Sequence, residues 1–182
     1  TPLREVDQQL LEVFCTNMAL CAANMDLLAS LRRNAYTDRM LGLPNRAALI
    51  ERMDQDLALA RSASGVLALL DIDQFAETND MFGHVYGDRL LAAIAHRLTA
   101  GLPRSCLLAR VAGDTFGVWG PGEAVDPVPL AALLAQPFEI EGVERPVSMS
   151  IGLVRHEAGL RDAQELYKNG SIALKHAKEA GR

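Results

Sequence analysis

Asp71 and Asp73 follow directly on the apolar run Val66-Leu-Ala-Leu-Leu70, and Asp114 lies in Ala112-Gly-Asp-Thr115 between two further apolar runs. An acid at the end of a buried strand, facing an acid on a hairpin tip, makes a place for a hard cation and a phosphate. Mg²⁺ is held by one or two carboxylates plus substrate phosphates, and the cation relieves the repulsion between the acids. Gly113 at the tip lets a phosphate approach the backbone, where successive N–H groups can form an anion nest. Lys178 and Arg182 are four residues apart, so they share a helix face near its C-terminal end. They can meet phosphate as a point charge and as a fork. Asn79 and Asp88 can pair with a base edge, and a carboxylate accepting from N1–H and the exocyclic amine selects guanine over adenine.

Each of these residues also has a plainer role. Asp71 can cap a loop, Asp114 can be a turn residue, and Asn79 and Asp88 can be a loop residue and a first-turn helix acid. Lys178 and Arg182 can be a solvated helix end favoured by the dipole. His84 is more often a structural loop residue than a catalyst. Their joint occurrence in this order is what favours a nucleotide site.

The elements that must position them can be read from periodicity. Residues 3–35 read as one long helix, with no Gly or Pro inside it and two neighbouring heptad stripes of apolar residues. That face is wider than a two-stranded coiled-coil seam. The helix therefore needs more than one neighbour, or a partner's helices, and Asn17 and Asn24 can fix register in a dimer. Tyr36–Arg46 is a connector broken by Gly42 and Pro44, with Asn45 placed to cap a helix from Arg46 to Ala60. Val66–Leu70 suits a central strand buried on both faces. A short helical turn begins at Phe75, Asn79–His84 is a loop, and a helix runs from Gly87 to Ala100. The hairpin Leu107–Trp119 follows. A breaker-rich loop leads to a short helix, Leu130–Gln136. Phe138–Ile140 and Val147–Ile151 alternate as strands, and a helix from Asp162 to Glu179 closes the chain. Hairpins mixed with crossover helices imply an α+β fold, a sheet with helices on its faces.

Bulk properties narrow the class. At 182 residues, 49% apolar and 23% charged, the chain has room for one domain and an appendage. Its net charge of −5 argues against nucleic acid. Three cysteines (Cys15, Cys21, Cys106) without a CxxC are expected to be buried free thiols in a reducing cytoplasm. No uninterrupted apolar run reaches the ~18–20 residues of a membrane span, and no signal peptide is visible. Starting at Thr1 rather than Met, the chain reads as a segment of something longer, with room for a membrane or sensor part upstream.

The motifs resemble those of the GGDEF family, the diguanylate cyclase domain, over residues 36–182, with residues 1–35 as a linker or signalling helix. Asp38 with Gly42-Leu-Pro-Asn-Arg46 resembles D-x-L-T-G-L-P-N-R. Asp71-Ile-Asp-Gln-Phe75 with Asn79-Asp80, Gly83-His84 and Gly87-Asp88 resembles D-x-D-x-F-K-x-x-N-D-x-x-G-H-x-x-G-D. Ser150-Ile-Gly152 and Ala173-Leu174 through Arg182 resemble S-I-G and A-L-Y-x-A-K-x-x-G-R. The resemblance implies a palm-like nucleotide-cyclase fold with a mostly antiparallel central sheet. It implies a GTP site with Mg²⁺ or Mn²⁺, and condensation of two GTP into cyclic di-GMP across a dimer. It also implies Asp71, the Ile72 carbonyl and Asp114 on metal, Asn79 and Asp88 on guanine, and Gly113, Lys178 and Arg182 on phosphates.

The departures are as specific as the matches. Ala112-Gly-Asp-Thr-Phe116 stands where the family has G-G-D-E-F, so a methyl replaces the first Gly and Thr115 replaces the Glu. Thr115 cannot replace a carboxylate as metal partner or proton acceptor, and losing a positioned acid–base group typically costs about 10²–10⁴-fold. Leu41, Ala76 and Lys175 replace the family's Thr, Lys and Tyr. Pro103-Arg-Ser-Cys106 lacks the Asp of the R-x-x-D product-inhibition motif. The expectation is a degenerate, catalytically inactive GGDEF domain that binds GTP and Mg²⁺ as a regulatory module. It would precede an EAL-type phosphodiesterase domain, as members of this family often do. The alternatives are a weak diguanylate cyclase and a dimerisation scaffold that binds no nucleotide.

Overall fold

A computed structural model describes residues 2–59, 65–156 and 162–181. The chain divides into two compact units, Thr1–Tyr36 and Thr37–Arg182. The first is a single helix, α1 (Pro2–Tyr36). Val6, Leu10, Phe14, Met18, Met25 and Leu28 are all exposed along it. Contrary to the expectation of buried thiols, Cys15 and Cys21 are exposed too, and Cys106 is half-buried. The apolar-run criterion also needs correction. Arg4–Tyr36 is long and apolar enough, by length and composition, to cross a membrane (mean hydropathy 1.2 over 18 residues). Asn17, Asn24 and Asp26 lie among its apolar residues, so no unbroken run marks it.

The second unit is α+β. Its elements are α2 (Arg46–Ala58), β1 (Gly65–Ile72), α3 (Phe75–Phe82), α4 (His84–Gly101), β2 (Leu107–Ala112), β3 (Thr115–Pro121) and α5 (Pro127–Ala135). They are followed by β4 (Phe138–Ile140), β5 (Val143–Arg145), β6 (Met149–Arg155) and α6 (Ala163–Ala180). Four strands form one antiparallel sheet in the order β2-β3-β1-β6, and β4-β5 make a separate ribbon. Helices cover both faces, the palm-like arrangement expected.

The alternation of β1 decides which residue faces which helix. Val66, Ala68, Leu70 and Ile72 pack with Leu91, Ile94 and Leu98 of α4 on one face. Leu67 and Leu69 pack with Leu49 and Met53 of α2 and Leu166 and Leu174 of α6 on the other. Asp71 continues the second set, so the same two-residue period that buries Leu67 and Leu69 aims its carboxylate at α6. Gly152 of β6 brings α6 close: a Cβ there would lie 2.3 Å from the Leu174 backbone nitrogen.

Several boundaries differ from those expected. Strand β1 extends two residues beyond Leu70, because Asp71 finds ladder partners on both sides, Thr115 and Ser150, and Ile72 one on β6, Met149. Asn79–Phe82 is the last part of α3, not a loop, and α4 begins at His84, three residues before Gly87. Gly83, at φ +85°, makes the break that lets one helix end and the next start. Helix α5 starts at Pro127, capped by Asp126. Strand β5 is not marked in the sequence; Val143-Glu-Arg145 is exposed at all three residues and carries no buried-face pattern. Helix α2 ends at Ala58, and Ala60 lies outside the described residues.

Candidate functional site

Asp71 is the one buried acid among the described residues, 6% exposed. Its register partner Thr115 donates a hydroxyl hydrogen bond to Oδ2 at 2.7 Å. The Lys178 ammonium pairs with Oδ1. Both oxygens of the carboxylate are therefore engaged by groups of the chain itself. Two residues on, Asp73 accepts from the Ser150 hydroxyl at 2.7 Å. Gln74 then turns the chain sharply into α3 with φ 56°, in the left-handed region that a non-glycine residue rarely occupies.

The hairpin tip is Gly113-Asp114, between paired Ala112 and Thr115. Nothing lies within 4 Å of where a Gly113 Cβ would be, so its backbone is open to an approaching anion. The Asp114 carbonyl accepts from the Ile72 N–H at 3.3 Å, tying the tip to the end of β1. Burial raises the Asp114 carboxyl above its ordinary range, and the Asp71 charge adds to the rise; a backbone hydrogen bond, Lys178 and Arg110 oppose it. The repulsion from Asp71 that helps raise Asp114 is relieved by a cation beside the two acids.

Arg110 fixes the tip from behind and was not singled out from the sequence. Its Nε and Nη2 donate to the Gly113 carbonyl at 3.0 and 2.7 Å, and Nη1 meets both carboxylate oxygens of Asp38 at 3.2 Å. Asp38 also accepts from the Leu41 N–H at 2.8 Å, holding the turn in which Gly42 sits at φ +67°. A lone arginine within the apolar run of β2 was the available signal; its partner is 72 residues away in sequence. In the same connector Asn45 caps α2, accepting from the Ala48 N–H at 3.1 Å.

Asn79 and Asp88 come from the α3–α4 junction. The Asn79 carboxamide lies against the Cα of Gly87, where a Cβ would stand 1.8 Å from Oδ1. That oxygen is buried without a hydrogen-bond partner, and such atoms are uncommon enough to call for an explanation. Asp88, next to Gly87, is exposed at the start of α4. Lys178 lines two clefts. One of 390 Å³ is formed with Asp73, Gln74, Ser148 and Ser150; the other, of 320 Å³, with Ala112, Thr115, Tyr167 and Ser171. Ala112 thus borders the second cleft. Arg182 lies outside the described residues.

Among the described residues no group of three or more His, Cys, Asp or Glu side chains is placed to hold a metal ion. Asp71, Asp114 and the Ile72 carbonyl are oxygen donors of the kind Mg²⁺ takes together with phosphates and water, with both Asp71 oxygens paired to Thr115 and Lys178.

An antiparallel palm with acids at the end of its central strand and an open hairpin tip defines a nucleotide-cyclase-like α+β domain. A family model described as diguanylate cyclase, GGDEF domain, matches residues 35–182. The chain belongs to the GGDEF family. It is 37% identical over 159 residues to the diguanylate cyclase DgcP of Pseudomonas aeruginosa, covering 83% of this chain and 24% of that protein. It is 31% identical over 157 residues to the cyclic di-GMP phosphodiesterase PdeR of Escherichia coli, covering 84% of this chain and 24% of that one. The chain thus spans about a quarter of the length of these curated relatives. Among solved structures, the coiled coil and GGDEF domain of DgcB from Caulobacter crescentus, in complex with c-di-GMP, superposes with a TM-score of 0.79. It is 23% identical and covers 95% of this chain and 96% of that one, a likeness of fold.

Proposed function

We propose that this GGDEF domain binds GTP as a regulatory module of a cyclic di-GMP signalling protein and does not condense it to cyclic di-GMP. The observation that carries this reading is the hydroxyl of Thr115 on Asp71 at 2.7 Å. A neutral hydroxyl donor stands where the family places a carboxylate, so neither an anionic metal ligand nor a basic proton acceptor is available there. The groups for binding remain: Asn79 and Asp88 for the guanine edge, Gly113 and Lys178 for phosphates, with Arg182 as a further phosphate ligand. Where Mg²⁺ or Mn²⁺ accompanies the nucleotide, Asp71, the Ile72 carbonyl and Asp114 would hold it, and it would neutralise phosphate charge. PdeR carries the name of a cyclic di-GMP phosphodiesterase and is similar to this chain over 157 residues, which supports a regulatory role here; an EAL-type partner domain and a cytoplasmic position of this domain belong to the same proposal. Titration calorimetry with GTP and Mg²⁺ tests the binding; no heat of binding at millimolar GTP overturns it.

The exposed apolar residues of α1 support a homodimer formed through this helix. Leu10 is 70%, Phe14 61% and Leu28 66% exposed along it. Asn17, Asn24 and Asp26 favour a protein partner over lipid, where polar and ionised side chains are costly. Light scattering is expected to give a dimer mass that is lost when residues 1–36 are removed. A monomer at every concentration overturns this.

A further inference from the structure

Lys178 is assigned above to phosphate, yet in the free domain it does something else: it stands on Asp71. We infer that the Lys178 ammonium occupies the position of the divalent cation, and that a metal ion reaches Asp71 only by displacing it. This inference takes Asp71 as the metal-binding acid of the proposed function, and concerns the domain before nucleotide arrives.

Three observations support it. Asp71 is buried, so its carboxylate cannot be satisfied by bulk water and needs partners from the chain. Those partners use both of its oxygens, Thr115 on Oδ2 and Lys178 on Oδ1. The local charge count also differs from that of a three-acid site. Asp71 and Asp114 carry −2 and Lys178 +1, leaving −1, where an acid at position 115 would leave −2. Mg²⁺ gives up its water reluctantly, and a site with one net negative charge, whose main ligand is already paired, offers little to repay that. The Thr115 substitution therefore alters metal binding as well as turnover, because it lets one lysine neutralise what would otherwise demand an ion.

Lys178 is nonetheless able to leave. Its side chain is 38% exposed, in the last turn of α6, and it borders both clefts. A phosphate in either cleft can draw the ammonium off Asp71 and expose the carboxylate. The lysine is then both the ligand for phosphate and the gate for metal.

The two roles predict opposite signs for one substitution. Mn²⁺ binding to the nucleotide-free chain, followed by electron paramagnetic resonance, should be about tenfold tighter or more in Lys178→Met than in the unmodified protein. That corresponds to ~1.4 kcal/mol. Lys178→Arg, which keeps the charge, should bind Mn²⁺ as weakly as the parent. If Lys178→Met binds Mn²⁺ no better than the parent, the inference is wrong, whatever happens to GTP. Should Lys178→Met not fold, thermal melts decide the matter. MgCl₂ at constant ionic strength should leave the melting temperature of the parent unmoved and raise that of Thr115→Glu. An equal rise in both overturns the inference. Neither assay contains nucleotide, so a failure of GTP binding would leave these results interpretable.

Discussion

At the α3–α4 junction, Asn79 keeps an unsatisfied buried oxygen against a glycine that leaves room for nothing larger, with Asp88 exposed beside it. At the hairpin, Thr115 and Lys178 satisfy Asp71 so fully that no oxygen is left over. The first region holds a buried oxygen with no hydrogen-bond partner; in the second, both carboxylate oxygens of Asp71 have partners from the chain. Two regions joined by the short segment from Asp71 to Asp88 have thus come under different demands. Recognition of a base needs unspent hydrogen-bonding capacity. Stability without turnover is served by spending it. A domain that senses GTP without converting it needs the first and has no use for a reactive second.

Repairing the hairpin is the severest trial of that contrast. Ala112→Gly with Thr115→Glu removes a methyl at the border of the second cleft and returns a carboxylate beside Asp71. If the hairpin alone limits turnover, product formation from GTP by the dimeric protein should rise about 10²-fold or more, read by chromatography of the reaction mixture. No increase would place a second defect elsewhere, with Ala76 and Lys175 as the candidates. Breaking the other region comes next in size. Asn79→Ala or Asp88→Ala should weaken GTP about tenfold each, through loss of hydrogen bonds to a buried edge. The affinity for inorganic triphosphate should be unchanged. A parallel loss for triphosphate would show that these residues shape the site generally instead of reading a base.

Much of this contrast could be read from residue types alone, and the exceptions have physical causes. Helix α6 is legible because burial of one face imposes a period of about 3.6 on its apolar residues, and the central strand because burial on both faces leaves an unbroken apolar run. Helix α1 shows by its helical spacing and its lack of Gly and Pro, although its apolar residues are exposed. Helix α3 has no buried residue, so nothing in its pattern separates a helix from a loop, and Asn79 was placed in the wrong element. Strand β5 fails to show for the same reason. The acids Asp71 and Asp114 could be paired in advance because each lies beside an apolar run that fixes its place. Arg110 could not be paired with Asp38, nor Lys178 with Asp71, because a long side chain chooses its partner in three dimensions. The assumption of buried thiols failed on α1 because an apolar neighbourhood in sequence is not burial.

The Arg110 clamp gives a smaller and more structural comparison. Its pair with Asp38 is largely shielded, at 14% and 22% side-chain exposure, and its two bonds to the Gly113 carbonyl hold the tip at the height of Asp71. Arg110→Ala should cost about 2 kcal/mol, lowering the melting temperature by roughly 4–8 °C for a chain of this size. Hydrogen exchange should speed up at Gly113 and Asp114 and stay unchanged at Asn79. Equal loosening at both places would mean that the two regions are one cooperative unit.

Asp114 supplies the finest test, and its sign depends on what is bound. Burial and the Asp71 charge raise its carboxyl above the ordinary range in the folded chain. The folded state therefore holds that proton more readily than the unfolded chain does, and ionisation of Asp114 costs stability as pH rises through the window between the two values. Asp114→Asn should melt slightly higher than the parent at neutral pH, and the gap should close as pH falls below the ordinary carboxylate range. With GTP and Mg²⁺ present the order should invert, because the asparagine has removed a metal ligand and the parent's second charge is now compensated. If the asparagine variant melts lower at neutral pH without nucleotide, Asp114 is held by contacts that outweigh its repulsion. The hairpin would then be a finished structural element, not a binding position left in place.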